Sequence, residues 1–116
     1  MKLKFALLFG MAVLQTYECF AGEKPEIAAE RHFSLAQAYS SEGDTDRAIE
    51  EYKLTLMYDP NAALVHTRLA TEYVKKGMLS AAMEACKEAL QRDPNYTDAR
   101  LILAGLYSTT HEIQAA

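Results

Sequence analysis

Apolar residues along most of this chain recur at the three- and four-residue spacing of amphipathic helices. The segments with this spacing, which predict five helices, are 27–41, 45–57, 62–76, 79–92 and 97–107. No window alternates with a period of two, so no strand is predicted. Gly43 and Gly77 mark turns inside two helix pairs, and Asp-Pro-Asn at 59–61 and 93–95 ends the second helix of each pair. The pattern therefore predicts an all-α protein.

The chain also matches itself at an offset of 34 residues. When residues 29–62 are placed over 63–96, 13 of 34 positions are identical, whereas ordinary residue usage would give about two. A period of this length is typical of stacked arrays, in which each unit hides its apolar face against the next unit. The repeat therefore predicts two equivalent helical hairpins that pack side by side.

The two units resemble the tetratricopeptide repeat, which sets large and small residues at fixed offsets. In the first unit the slots hold His32, Leu35, Ala36, Tyr39, Gly43, Ala48, Tyr52, Thr55 and Pro60; in the second they hold His66, Leu69, Ala70, Tyr73, Gly77, Ala82, Cys86, Ala89 and Pro94. The resemblance implies an α-α superhelix with full repeats at 29–62 and 63–96 and a partial repeat at 97–116. The alanine slots let the paired helices approach closely, and the two tyrosines are expected in equivalent seams.

The third unit departs from this pattern. Arg100, Leu103, Ala104 and Tyr107 fill its first slots, but His111 stands where the other units have glycine. Its first helix is also more apolar than a solvent-facing terminal unit would be. Two interpretations follow: the chain is a segment of a longer array, or it associates with itself through residues 97–116.

The first 21 residues differ from the repeats. Lys2 and Lys4 precede an apolar run at 5–14, and Cys19 and Ala21 are small residues at the −3 and −1 positions of a cut after Ala21. This order predicts a secretory signal peptide at 1–21 and export to the periplasm, with 22–28 as a lead-in. The alternative is a membrane anchor formed by 5–14, which is shorter than the roughly twenty residues that a span needs.

Composition narrows the possible functions. The formal net charge is −4, and the longest basic run is Lys75-Lys76, so a nucleic acid partner is not expected. Removal of residues 1–21 would leave Cys86 as the single cysteine, and we expect it to be a small buried apolar residue rather than half of a disulfide.

Candidate catalytic and metal-binding residues are few. His32 and His66 lie one repeat apart, roughly 8–10 Å if their helices pack as neighbours, which is too far to share a metal ion, so both are expected at the edge of the core. His111 and Glu112 begin like a zinc-protease helix, but Ala115 replaces the second histidine. No glycine-rich phosphate loop or nucleophile elbow is present. We therefore expect no enzyme activity, no cofactor, no metal and no small-molecule substrate.

The resemblance places a partner-binding groove on the exposed face of each first helix. The residues on this face are Glu30, Phe33, Gln37, Ser40, Ser41, Leu64, Thr67, Thr71, Val74, Lys75, Asp98, Leu101, Gly105, Ser108 and Thr109. The predicted binding residues among them are Phe33, Gln37, Leu64, Thr67, Thr71, Val74, Lys75 and Leu101.

The family's clamp for a C-terminal carboxylate is missing from this face. Its Lys, Asn and Arg places are filled by Phe33, Gln37, Arg68, Asp98 and Ile102. The predicted function is a non-enzymatic adaptor that binds a protein or peptide by apolar anchors. The alternative is an assembly subunit of an envelope machine such as a pilus or secretion apparatus.

Overall fold

The structure, a computed structural model, describes residues 22–115 of the 116-residue chain. This part of the protein consists of five helices and no strand. The helices are α1 (Pro25–Glu42), α2 (Thr45–Tyr58), α3 (Ala63–Lys75), α4 (Leu79–Arg92) and α5 (Thr97–Ala115). Helices α1 and α2 pack as one hairpin, α3 and α4 as a second, and α5 packs on the second hairpin. The predicted all-α superhelix is confirmed.

Glycine ends the first helix of each hairpin. Gly43 has φ +81° and Gly77 has φ +74°, a left-handed conformation that costs a glycine little because it has no Cβ. The Gly43 N–H donates to the Ser40 carbonyl oxygen at 3.1 Å, and the Gly77 N–H donates to that of Val74 at 2.9 Å. Asp44 then caps α2 by accepting the Arg47 N–H. These turns reverse the chain and set the two helices of each hairpin antiparallel.

Two alanine pairs mark the tight contacts inside the hairpins. Ala36 and Ala48 in the first hairpin, and Ala70 and Ala82 in the second, are all 0% exposed. One apolar cluster surrounds the first pair, with Tyr52 and Leu69 among its buried members, and a second cluster surrounds the other pair. The predicted close approach at the alanine slots is confirmed.

The two seam tyrosines have similar but not identical surroundings. Both are partly buried, and each carries a cation over its ring: Arg47 at 5.5 Å from the centroid of Tyr39, and Lys53 at 5.9 Å from that of Tyr73. Tyr73 packs against both apolar clusters, whereas Tyr39 packs against the first alone. Tyr73 therefore joins the two hairpins, since its helix packs on α2 of the first hairpin as well as on α4 of its own.

Helix α5 is longer than the sequence pattern predicts. The expected helix ends at Tyr107, but the observed helix continues to Ala115. His111 occupies the position equivalent to Gly43 and Gly77, and it has no positive φ. Without glycine to adopt the left-handed conformation, the chain has no local signal to stop, so the helix runs on.

Cys86 is a free thiol that is 0% exposed in the second cluster. Burial raises the pKa of this thiol above its ordinary value. The prediction that it serves as a small apolar residue is confirmed.

The proposed signal peptide at 1–21 lies outside the described residues. Among the described helices, none combines the length and the apolar character that crossing a membrane requires.

Candidate functional site

The eight predicted binding residues differ widely in the surface that they offer. Leu101 is 67% exposed, and Leu64 and Val74 are each 40% exposed. Gln37 and Lys75 are also exposed, whereas Phe33 and Thr71 are partly buried. Thr67 is only 4% exposed, and its hydroxyl donates to the Ala63 carbonyl oxygen within the same helix. Thr67 therefore has little surface with which to contact a partner.

The structure brings two of these residues, Phe33 and Leu64, into one open cleft. The cleft has a volume of about 610 Å³ and lies between α1, the end of α2 and the start of α3. Its apolar lining consists of Ala29, Phe33, Ala62, Leu64 and Val65. Phe33 is held by the Tyr52 ring, whose centroid lies 6.0 Å away at an angle of 58°. The cleft therefore has a floor that a partner's apolar side chain could cover.

The rim of the cleft is acidic. Glu26, Glu30 and Asp59 line it, and no lysine, arginine or histidine does. Among the described residues 22–112, none of these three carboxylates forms an ion pair. Exposed Glu30 and Asp59 are thus free to meet a positive charge, and Glu26 additionally lies in the first turn of α1, where the helix dipole favours an anion.

Tyr58 forms one edge of the cleft. Its ring stacks on that of His32, with the centroids 5.7 Å apart and the planes 9° from parallel. The Nδ1 of His32 bonds to Oε2 of Glu51 at 2.6 Å. Because the carboxylate can only accept, a protonated Nδ1 donates this bond. The Glu51–His32 contact therefore holds the surface against which Tyr58 rests.

The second histidine has a different role. The Nε2 of His66 lies 3.0 Å from the Pro60 carbonyl oxygen, so it must carry the proton and donate it. His66 is 9% exposed and fixes the turn between the two hairpins. The prediction that both histidines pack at the edge of the core is confirmed. Among the described residues, no group of three potential ligands could hold a metal ion.

Lys75 is already engaged by neighbouring side chains. Its ammonium donates to Oε1 of Glu72 at 2.9 Å and to Oγ of Ser40 at 3.0 Å, while the Ser40 hydroxyl donates to the same carboxylate oxygen. This network ties α1 to α3. The positive charge of Lys75 is therefore largely balanced by Glu72 and is not a free contact for an acidic partner.

Glu72 itself is a charged residue at a buried position. It is 2% exposed, and its second oxygen, Oε2, is buried without a hydrogen-bond partner in the structure. The equivalent residue of the third unit is the buried Leu106. Burial raises the pKa of the Tyr52 phenol, and the negative charge of Glu72 raises it further. The carboxylate thus lies in an environment that the next unit fills with a leucine.

Sequence reasoning found part of the cleft and missed the rest. It placed Glu30, Phe33 and Leu64 on the exposed face, but it assigned Asp59 only to a turn and gave Glu26 and Tyr58 no role in binding. The missing signal is spatial, because these residues belong to the start of α1 and the end of α2, which meet only when the first hairpin closes. Val74 and Leu101 do not line the cleft.

Comparison with protein families gives two matches. A tetratricopeptide repeat model matches residues 63–96, and a second tetratricopeptide repeat model matches residues 29–61. Together they cover more than half of the chain. None of the curated proteins matches its sequence.

Several solved structures share the fold. The TPR2B domain of yeast Sti1, in a complex with pHsp70, has a TM-score of 0.71 at 21% identity, covering 77% of this chain and 71% of that one. The second TPR of Spaghetti (RPAP3), bound to the HSP90 peptide SRMEEVD, has a TM-score of 0.70 at 23% identity, covering 75% and 81%. The MamA protein has a TM-score of 0.69 at 28% identity, covering 77% of this chain and 49% of that one.

Proposed function

The chain belongs to the tetratricopeptide repeat family, and from this premise we propose that it is a non-enzymatic interaction module that holds a segment of a partner protein. The observation that carries the proposal is the open cleft whose floor includes Phe33 and Leu64. Helical arrays present extended surfaces of this kind to their partners. Apolar anchors laid into a groove are one of the common ways to bind a peptide.

The two neighbours solved as complexes support a peptide as the class of partner, but they do not support the same peptide. Those proteins bind pHsp70 and an HSP90 peptide. Three of the last four residues of the HSP90 peptide are acidic. In this chain carboxylates line the rim of the cleft, and the positive charge of Lys75 is balanced by Glu72. An acidic tail would therefore meet repulsion here, so the proposed partner is of another class.

We propose further that the protein acts after export. This part of the proposal rests on the order of lysines, apolar run and small residues in 1–21. A partner would then be sought among periplasmic and envelope proteins. N-terminal sequencing of the protein purified from the periplasm would begin at Gly22 if the cut falls after Ala21, and a Met1 start would contradict the signal peptide.

The test of the binding role is affinity capture with the purified protein, a Phe33→Glu/Leu64→Glu variant and a Met57→Glu control. Met57 is 77% exposed and does not line the cleft. We expect a partner to be retained by the wild type and the control and lost by the double variant, with direct binding then measured on the purified partner. Circular dichroism melts confirm that all three proteins are folded. Equal capture by all three would contradict the role of the cleft.

A second function, assembly through residues 97–116, is favoured by one observation on α5. Ala104 is exposed and Tyr107 is 48% exposed, whereas the equivalent alanines Ala36 and Ala70 are 0% exposed. The face of α5 that corresponds to the buried side of α1 and α3 thus lacks a covering helix in the described part of the chain. Light scattering would show association of the wild type and a monomer for Tyr107→Glu. A monomeric wild type at all concentrations would contradict self-association.

A further inference from the structure

We propose that the cleft between α1, α2 and α3 binds a cationic-apolar segment, in which a large apolar side chain is flanked by lysine or arginine. This inference rests on the proposed binding function and names the chemistry of its partner. It follows from the combination of an apolar floor, at Phe33 and Leu64, with a rim that contains three carboxylates and no basic residue.

The rim owes its negative character to its three carboxylates, because the negative pole at the end of α2 is met by the positive poles at the first turns of α1 and α3. Asp59 is the C-cap of α2, and the last turn of this helix contains no basic residue. The carboxyl end of a helix carries a partial negative charge, so an acidic residue there adds to an existing negative pole. The equivalent end of α4 differs, since Arg92 lies in its last turn beside Asp93. The last turn of α2 therefore lacks the cation that the last turn of α4 contains.

Two nearby arginines, Arg31 and Arg92, bond to groups that do not line the cleft. Arg31 donates two hydrogen bonds to Glu23, at 2.9 and 3.2 Å. Arg92 donates to the Pro60 carbonyl oxygen at 3.0 Å and pairs with Glu88. Neither residue lines the cleft, so neither neutralises its rim by direct contact.

The size of the cleft limits what one segment can insert. A volume of about 610 Å³ lies within the range of sites that enclose a small ligand, which corresponds to one or two large side chains of a peptide. The apolar floor is a few residues wide, and Glu26, Glu30 and Asp59 surround it. An apolar anchor with a positive charge on either side would therefore match both the shape and the charge of the site.

The test uses labelled twelve-residue peptides on a Gly-Ser background. One carries a central Phe flanked by lysines, one a Phe flanked by glutamates, and one lysines flanking a Ser. Fluorescence anisotropy at low ionic strength should show the Lys-Phe-Lys peptide binding about tenfold tighter than either of the others, with the preference shrinking as salt is added.

Two variants separate the cleft from the overall charge. Glu26→Gln/Glu30→Gln/Asp59→Asn neutralises the rim, and Glu42→Gln/Glu50→Gln/Glu112→Gln removes the same charge from exposed positions that do not line the cleft. We expect the first to weaken Lys-Phe-Lys binding about tenfold and the second to change it less than twofold. Equal weakening by both variants would show a diffuse charge effect and overturn the proposal.

The remaining outcomes are also decisive. Equal affinity for the acidic and basic peptides, or no measurable binding of any peptide, overturns the cationic-apolar assignment. If the rim variant instead changes the sedimentation of the protein itself, the occupant is a second copy, and the assignment is again wrong. Loss of a captured partner in the Phe33→Glu/Leu64→Glu experiment, together with any of these results, would leave the binding function standing and remove its proposed chemistry.

Discussion

The His32 ring stacks on the ring of Tyr58 and so links α1 to the edge of the cleft. The ring centroids are 5.7 Å apart and the planes 9° from parallel. Although His32 and His66 occupy equivalent places in the repeat, His66 bonds to the Pro60 carbonyl oxygen instead. One sequence position therefore serves two purposes: it supports a candidate binding surface in the first unit and fixes a turn in the second.

This stacking predicts an energetic coupling between His32 and Tyr58. A double-mutant cycle with His32→Ala and Tyr58→Ala should give an interaction energy of about 0.5–1 kcal/mol, since stacked aromatic pairs contribute this much beyond their buried area. Urea denaturation of the wild type, both single variants and the double variant measures it. Additive effects would show that the two rings do not support one another.

The alanine slots predict a contrast between two equivalent positions. Ala70→Leu should lower the free energy of unfolding by about 1–3 kcal/mol, because this residue is 0% exposed between two helices. Ala104→Leu, at the equivalent exposed position of α5, should change it by less than about 0.5 kcal/mol. Thermal and urea denaturation of the two variants test this. Similar losses would mean that the face of α5 is covered in solution.

The glycines predict opposite effects of the same substitution. Gly77→Ala should destabilise the protein by about 1 kcal/mol, because its φ of +74° strains any residue with a Cβ. Gly105→Ala should stabilise it by about 0.5–1 kcal/mol, since Gly105 lies within α5 and an added Cβ would meet nothing within 4 Å. Chemical denaturation gives both values, and a stabilising Gly77→Ala would contradict the left-handed turn.

Because the Glu72 carboxylate is buried with one oxygen unpaired, we predict that this residue adds nothing to the free energy of unfolding. Glu72→Leu should leave the free energy of unfolding unchanged or raise it by about 1 kcal/mol, because Oε2 has no partner and Leu106 fills the equivalent place. Glu84→Leu, at a side chain that is 71% exposed, is the control for the added leucine. A loss of more than about 1 kcal/mol for Glu72→Leu alone would show that its bonds to Ser40 and Lys75 outweigh its burial.

The raised pKa of Cys86 predicts how thiol reactivity and stability change with pH. The folded state favours the protonated thiol, so its contribution to stability is complete below the unfolded-state pKa of about 8.5 and is lost as the pH rises through the higher folded-state value. A thiol reagent should therefore react slowly with Cys86 in the folded protein at neutral pH and quickly with it in denaturant. Equal rates would show that Cys86 is accessible. Cys86→Ala should reduce the alkaline loss of stability seen in denaturation at pH 7 and pH 10.

The helices and turns could be predicted because their causes are local. Gly43 and Gly77 adopt the left-handed conformation at the ends of α1 and α3, and Pro60, which lacks an N–H, follows the end of α2. The end of α5 was missed for a related reason: the repeat pattern predicts a turn at position 111, but His111 supplies none of the conformational freedom that makes the turn. The turn expected from the other two units does not form, because histidine at position 111 favours continuation of the helix.

The sequence by itself determined the period of the array, the antiparallel hairpins and the alanines that let them close, because spacing and residue size act between neighbours along the chain or at a fixed offset. Only the tertiary structure decided that Glu26, Phe33, Asp59 and Leu64 share one cleft, and that Glu72 is buried against Ser40. Those relationships depend on how one hairpin is placed on the next. That placement arises from the packing of many side chains together, which no single stretch of sequence records.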